Sequence, residues 1–352
     1  MALYTDAALR PAREVVAAAP RTFIRSEVFD TALLVLPLLT GLTAATIVLQ
    51  DFRLFPMLLV ADIWLLGYHH VVATYTRLAF PSDALRRNRF LAVDLLLLMT
   101  AGTLALALTA GTWVVASAFL YLQWFHYMRQ GYGIARMYFR ATPEGQTAGA
   151  RDTSADLVIY LVPIYAIAAR SASMGELFLD LPVKTLVLPE GVITALGLLA
   201  AAATVAWAVR SVASYWRGTL NVLYTCFILS HVAIFLNAYI LIDNPNVGWL
   251  AINVWHNFQY VMVVWMMNAK RYAGSTDPAG GFIARISQPG RIVTYFMSCV
   301  AISTIVYLVL GRVVIAVGGG LAVTAGIYMG INFHHYVVDA LIWKRRRAVL
   351  TA

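Results

Sequence analysis

Apolar runs of about 20 residues recur from Val28 to the C-terminus, separated by short polar stretches, and that is the length needed to cross a hydrocarbon core. The pattern predicts ten helical spans, at 29–49, 56–77, 91–109, 113–135, 155–173, 189–209, 220–241, 247–268, 292–310 and 320–343. The fold class is therefore all-α, a polytopic integral membrane bundle of about ten transmembrane helices. Residues 1–28 form an N-terminal segment that could include a short surface-lying helix. Residues 29–343 form a single transmembrane domain, and 344–352 a basic tail. The inside loops 78–90, 136–153 and 269–290 are the longest polar connections, and AGSTDPAGG (273–281) is a loop by composition.

Charge placement sharpens this reading. Cytoplasmic loops are enriched in Lys and Arg. With the loops taken alternately as inside and outside, only Arg53, Arg170, Lys184 and Arg312 of the 26 basic residues fall on the outer side. A miscounted span would invert the later loops and spoil that segregation. Both termini are thus expected in the cytoplasm, in a multi-pass protein of a bacterial-type inner membrane. The net charge of +9 follows from orientation and from basic loops beside anionic lipid headgroups, so no nucleic-acid partner is implied. The first residues lack a sustained apolar core and do not resemble a secretory signal. Cys226 and Cys299 each sit alone inside a span and read as buried free thiols.

Against this apolar background the polar interruptions stand out. All seven histidines, His69, His70, His126, His231, His256, His334 and His335, fall inside predicted spans. At about 1.5 Å per residue, each lies within roughly 6 Å of the middle of its span. Ionisable groups at that depth are costly and mark either a functional site or a hydrogen-bonded helix contact. Shared depth in separate helices favours a common metal ion for His69, His70, His126, His256, His334 and His335. Adjacent histidines diverge by about 100° around a helix, so either member of each pair could be the ligand. His231, with only Asn237 nearby, reads equally well as a packing contact.

Neutral imidazole binds Fe, Cu or Zn, and its second nitrogen is usually held by an acceptor. Such supports occur at helical spacing: Asp339 four residues after His335, Asp62 seven before His69, Asn253 and Gln259 three either side of His256, and Gln123 and Gln130 around His126. Thr74 follows His70 by four. Arg129 and Arg77, at the cytoplasmic end of the same region, could hold a carboxylate or phosphate, and Tyr127, Trp255, Tyr260 and Tyr336 suit the wall of a pocket for a lipophilic substrate.

The His-box spacings of membrane desaturases, the CxxCH haem attachment and HExxH are all absent. A His-rich non-haem site of one or two iron ions binding O₂ remains compatible, as does a b-type haem held by a His pair, or copper. FHHYVVDALIWK (333–344), WHNFQYVMVVW (255–265) and LQWFHYMRQ (122–130) resemble segments of the bacteriorhodopsin-related (Brp/Blh) membrane β-carotene dioxygenases. The resemblance runs through His334 with Asp339, through His256 and through His126. It implies four histidines around ferrous iron and a dioxygenase acting with O₂ on a carotenoid- or lipid-like substrate. That family's first motif, Pro-His-Gly-x-x-Asp, is not reproduced in YHHVVATY (68–75), so the first ligand stays between His69 and His70, and this chain has more spans than is usual there. A redox partner or a homo-oligomer is compatible with this reading. A haem electron carrier, a haem-modifying protein or a proton-coupled transporter remains the alternative.

Overall fold

A computed structural model describes residues 23–80, 84–273 and 281–344. The N-terminal stretch read as a surface helix, most of the 273–281 loop and the basic tail after Lys344 lie outside the described residues. The rest is helical almost throughout. Each of the ten expected spans coincides with a long helical stretch, and seven of these are long and apolar enough to cross a membrane.

Helix α1 (Glu27–Gln50) starts where the Ser26 hydroxyl accepts the Phe29 N–H at 3.3 Å and ends at Asp51, which pairs with Arg53 at 2.9 Å. The second rod is α2 (Phe55–Asp62), a π-helical turn (Ile63–Gly67) and α3 (Tyr68–Leu78). A short α4 (Ala84–Arg87) leads to a second π-helical turn, Phe90–Asp94, and α5 (Leu95–Thr109). Helix α6 (Thr112–Ala141) runs unbroken through Gly131 and Gly133 and extends beyond its predicted end. There a close approach, not a break, is the use of glycine: a Cβ at Gly131 would strike the ring of His231.

Helix α7 (Thr153–Ser173), capped by Asp152, is followed by the only sheet among the described residues, a hairpin of β1 (Leu177–Phe178) and β2 (Leu181–Pro182). Its tip, Leu179 and Asp180, has φ of +50° and +62°, and the Leu179 N–H donates to Asn246 Oδ1 at 3.0 Å. Helices α8 (Glu190–Trp216) and α9 (Val222–Leu236) follow, and α9 ends in a third π-helical turn, Asn237–Leu241. Backbone carbonyls left without helical partners there need donors. Arg170, one of the four basic residues placed on the outer side, is buried and donates to the carbonyls of Tyr239, Ile242 and Asp243 at 3.0, 2.6 and 2.9 Å.

Helix α10 (Pro245–Arg271), capped by Asn244, is the central rod, buried on nearly every face and packed against α1, α3, α9 and the π-helical turns beside α3 and α9. Its approach to α1 is close enough that a Cβ at Gly41 would meet the Ala251 carbonyl. A short α11 (Gly281–Ile286), α12 (Ile292–Ala316) and α13 (Leu321–Lys344) complete the fold, with α13 lying between α5 and α6. Cys299 is buried as expected, whereas Cys226 is exposed on α9.

A candidate metal centre between four helices

The three long helices that fall short of simple apolarity, α6, α10 and α13, are those that carry His126, His256 and His335, and with α3 they enclose one cluster. The His70 and His335 rings have centroids 4.4 Å apart, His70 and His256 4.8 Å, His126 and His256 4.8 Å, and His126 and His335 5.0 Å. All four residues are at least 95% buried. Two overlapping groups could hold an ion, His70 with His126 and His256, and His126 with His335 and Asp339, the donor atoms of each lying within 4.8 Å of one another. His126 Nε2 and His256 Nδ1 are buried without a hydrogen-bond partner. Buried polar atoms are seldom left so, and a cluster of them invites an ion.

The adjacent pairs are thereby resolved. His69 turns toward α12, where its ring stands edge-on to Phe296 at 4.4 Å, and His334 turns to the π-helical turn before α5, bonding the Leu91 carbonyl at 2.7 Å. Neither joins the cluster, because neighbours about 100° apart on one helix face different partners. It is therefore His335, not His334 as the late motif suggested, that stands with Asp339 at the centre. His231 also stays apart, bonding the Ile159 carbonyl at 3.2 Å and packing on Phe235.

His70 Nε2 and His335 Nε2 are 2.6 Å apart, a distance at which one nitrogen must donate to the other. Asp339 supports this pair through a relay. With an Nδ1–H tautomer, His335 donates to Thr74 Oγ1 at 2.9 Å, Thr74 donates to the Tyr260 hydroxyl at 2.8 Å, and Tyr260 donates to Asp339 Oδ1 at 2.6 Å. Every proton in that chain points toward the carboxylate, so the lone pair of His335 Nε2 faces the cluster, where it accepts from His70 Nε2 and would be the atom offered to an ion. Tyr260 also lies flat on His70, with centroids 3.9 Å apart and planes 2° from parallel.

Asp62 does not support an imidazole, as its spacing from His69 had suggested. Its oxygens accept from Asn253 at 2.6 Å and Asn257 at 3.5 Å, because the π-helical turn after it rotates the chain before His69. Asn253 in turn accepts from Tyr127 at 2.5 Å and Gln123 at 3.3 Å, while Gln123 accepts from Trp249 at 2.7 Å. This network fixes the wall of the site. Gln130 donates to the His256 carbonyl at 2.9 Å, tying α6 to α10. Gln259 is fully buried with neither amide atom bonded. Sequence reasoning missed Asn257, although its spacing of four from Asn253 on one helix face was available as a signal.

Two cavities reach the cluster. One, about 350 Å³, lies against His126 and is lined by Met99, Leu122, Phe125, Val337 and Asp339, with Arg129 at its edge. Leu122 and Phe125 are exposed at the helix surface, so this cavity opens between α6 and α13 toward the surroundings of the bundle. The other, about 200 Å³, lies on His70, His256 and His335, and Leu179 of the hairpin borders it. Tyr336, stacked on His126 at 4.6 Å, lines both.

Of the remaining expected wall residues, Tyr127 packs on His256 at 4.4 Å, but Trp255 points away and packs on His231 and Phe235. Arg129 bonds the Tyr160 hydroxyl and lies over Tyr132, and Arg77 is buried, its guanidinium against Met267 Sδ at 3.4 Å. Compared with known proteins, the chain matches no family model, no curated sequence and no solved structure.

Proposed function

We propose that this protein is a membrane oxygenase in which His70, His126, His256 and His335 hold one or two non-haem iron ions that activate O₂ against a lipophilic substrate. The observation that carries the reading is the convergence of four imidazoles from four helices, with unbonded nitrogens on His126 and His256. An all-imidazole set with a carboxylate in reach suits iron, and a bound ion of that kind supplies O₂ activation. The chain's own residues do the rest. Asp339, Tyr260 and Thr74 hold the His335 tautomer, and the packed aromatic walls exclude water. The cavity beside Leu122 and Phe125 admits an apolar chain from the lipid, with Arg129 at its rim to meet a polar end.

In this reading ten helices cross a bacterial-type inner membrane with both termini in the cytoplasm, supported by the segregation of Lys and Arg and by the ten long helical stretches. The likeness to the β-carotene dioxygenases enters at the ligand set through His126 and His256, while its late motif, read through His334, meets the cluster at the neighbouring His335 instead, and a carotenoid or similar lipid is the substrate class it suggests. A haem between His70 and His335 fits poorly, since a macrocycle would have to enter where the two imidazoles are already in hydrogen-bond contact.

Elemental analysis and an absorption spectrum of the detergent-purified protein test the proposal. Iron at one or two per chain with no Soret band supports it. A Soret band, or no stoichiometric metal, overturns it.

A further inference from the structure

Inserting one oxygen atom of O₂ into a C–H bond consumes two electrons and two protons. Cys226 and Cys299 lie in separate helices, one exposed and one buried, and do not form a redox pair, so a reductant must come from outside the chain. The 200 Å³ cavity offers a place for it, distinct from the one that opens beside Phe125.

Its character is aromatic, polar and uncharged. Tyr68 and Tyr307 stack at 3.4 Å with planes 6° apart, and Tyr328 lies 5.8 Å from Tyr307. Asn257 and Asn332 add amide groups, and no Lys, Arg, Asp or Glu lines the cavity. The floor is three of the four clustered imidazoles. Such a chamber selects a flat, neutral molecule with hydrogen-bonding oxygens and has room for one substituted six-membered ring. Its place among long apolar helices favours a ligand that travels in lipid. We propose that this cavity binds a quinol, the two-electron, two-proton donor that the oxygenation consumes.

The inference rests on the oxygenase reading and makes it a mono-oxygenation, in place of the dioxygenation that the likeness implies: R–H + O₂ + QH₂ → R–OH + Q + H₂O. A C–H bond breaks and a C–O bond forms. The O–O bond is cleaved, and the two quinol O–H bonds give up the electrons and protons that complete one water. The quinol meets His70, His256 and His335 from one side while the lipophilic substrate meets His126 from the other, so the two need not compete.

Metal-free protein labelled with an azido-quinone photoprobe tests the site without relying on turnover. The expected labels fall on the α12 and α13 peptides around Tyr307, Tyr328 and Asn332, and excess decylubiquinone suppresses them. Met329→Trp, which fills the cavity, and Asn332→Leu, which removes an amide, each lower labelling about tenfold while the metal-loaded form keeps its iron. Absent labelling, labelling insensitive to both variants and to the competitor, or labelling confined to the peptide around Phe125 overturns the quinol site. Loss of iron in otherwise unaltered protein would instead overturn the oxygenase reading.

Discussion

Helices α8 and α10 have the same length and opposite characters. Helix α8 is one of the most apolar stretches of the chain, yet only 11% of its most apolar window is buried. Helix α10 carries Asn253, His256, Asn257, Gln259 and Asn268, does not rank among the seven apolar spans, and is buried almost end to end. In water the apolar helix would be the inner one. Here the order is reversed, because lipid solvates apolar side chains as well as a protein interior does, whereas polar side chains must find partners inside the bundle.

The sharpest way to break this contrast is to remove polar groups from the inner helix. If the cluster holds iron as proposed, His126→Ala and His256→Ala each remove an imidazole from it and are expected to reduce bound iron to background and abolish oxygenation. Leu198→Ala on α8, where the side chain is 68% exposed, leaves metal content and activity unchanged. Elemental analysis of the three proteins, purified side by side, decides it. Retention of full iron by either His variant would remove the site from α6 and α10.

One step out from the ligands, the effect falls. Tyr260→Phe breaks the relay between Thr74 and Asp339, and Asp339→Asn replaces its terminal acceptor. Lost outer support of a ligating histidine costs about 10–100-fold in metal affinity. Chelator competition should therefore show weaker binding in both variants, with the helical circular-dichroism signal preserved. Equal affinity in Tyr260→Phe would mean that His335 holds its tautomer without the relay.

Backbone contacts make the inner helix vulnerable in another way. A methyl group at Gly248 would strike the Ala238 carbonyl, and one at Gly41 the Ala251 carbonyl. Gly248→Ala and Gly41→Ala should each cost about 1–3 kcal/mol. Gly102→Ala, which meets nothing nearby on α5, should be neutral. Thermal unfolding in detergent reads the difference.

Much of this arrangement was legible in the chain. The apolar runs located the helices, and the shared depth of His126 and His256 foretold that distant segments meet. What escaped was rotation about each axis. Three π-helical turns among the described residues, at Ile63–Gly67, Phe90–Asp94 and Asn237–Leu241, shift the face that follows them, and nothing in their mostly apolar sequences announces the shift. Asp62 consequently meets amides of α10 instead of an imidazole, and Arg170 turns inward to the carbonyls after α9. The two His–His pairs had the same limitation, since spacing alone does not say which neighbour faces α10.

The pairs also furnish the mildest and most discriminating test. His69 is fully buried, yet neither of its ring nitrogens has a hydrogen-bond partner, and it rests edge-on to Phe296. Replacing a buried polar group that bonds nothing by an apolar group of similar shape is nearly neutral or stabilising. His69→Phe should therefore keep its iron and change stability by less than about 1 kcal/mol. His334→Phe removes the donor to the Leu91 carbonyl and should cost about 1–3 kcal/mol, again with iron retained. The inner members, His70→Phe and His335→Phe, should lose the ion. Iron lost from His69→Phe while His70→Phe retains it would exchange their roles, and the rotation imposed by the turn at Ile63–Gly67 would then be wrong by one residue.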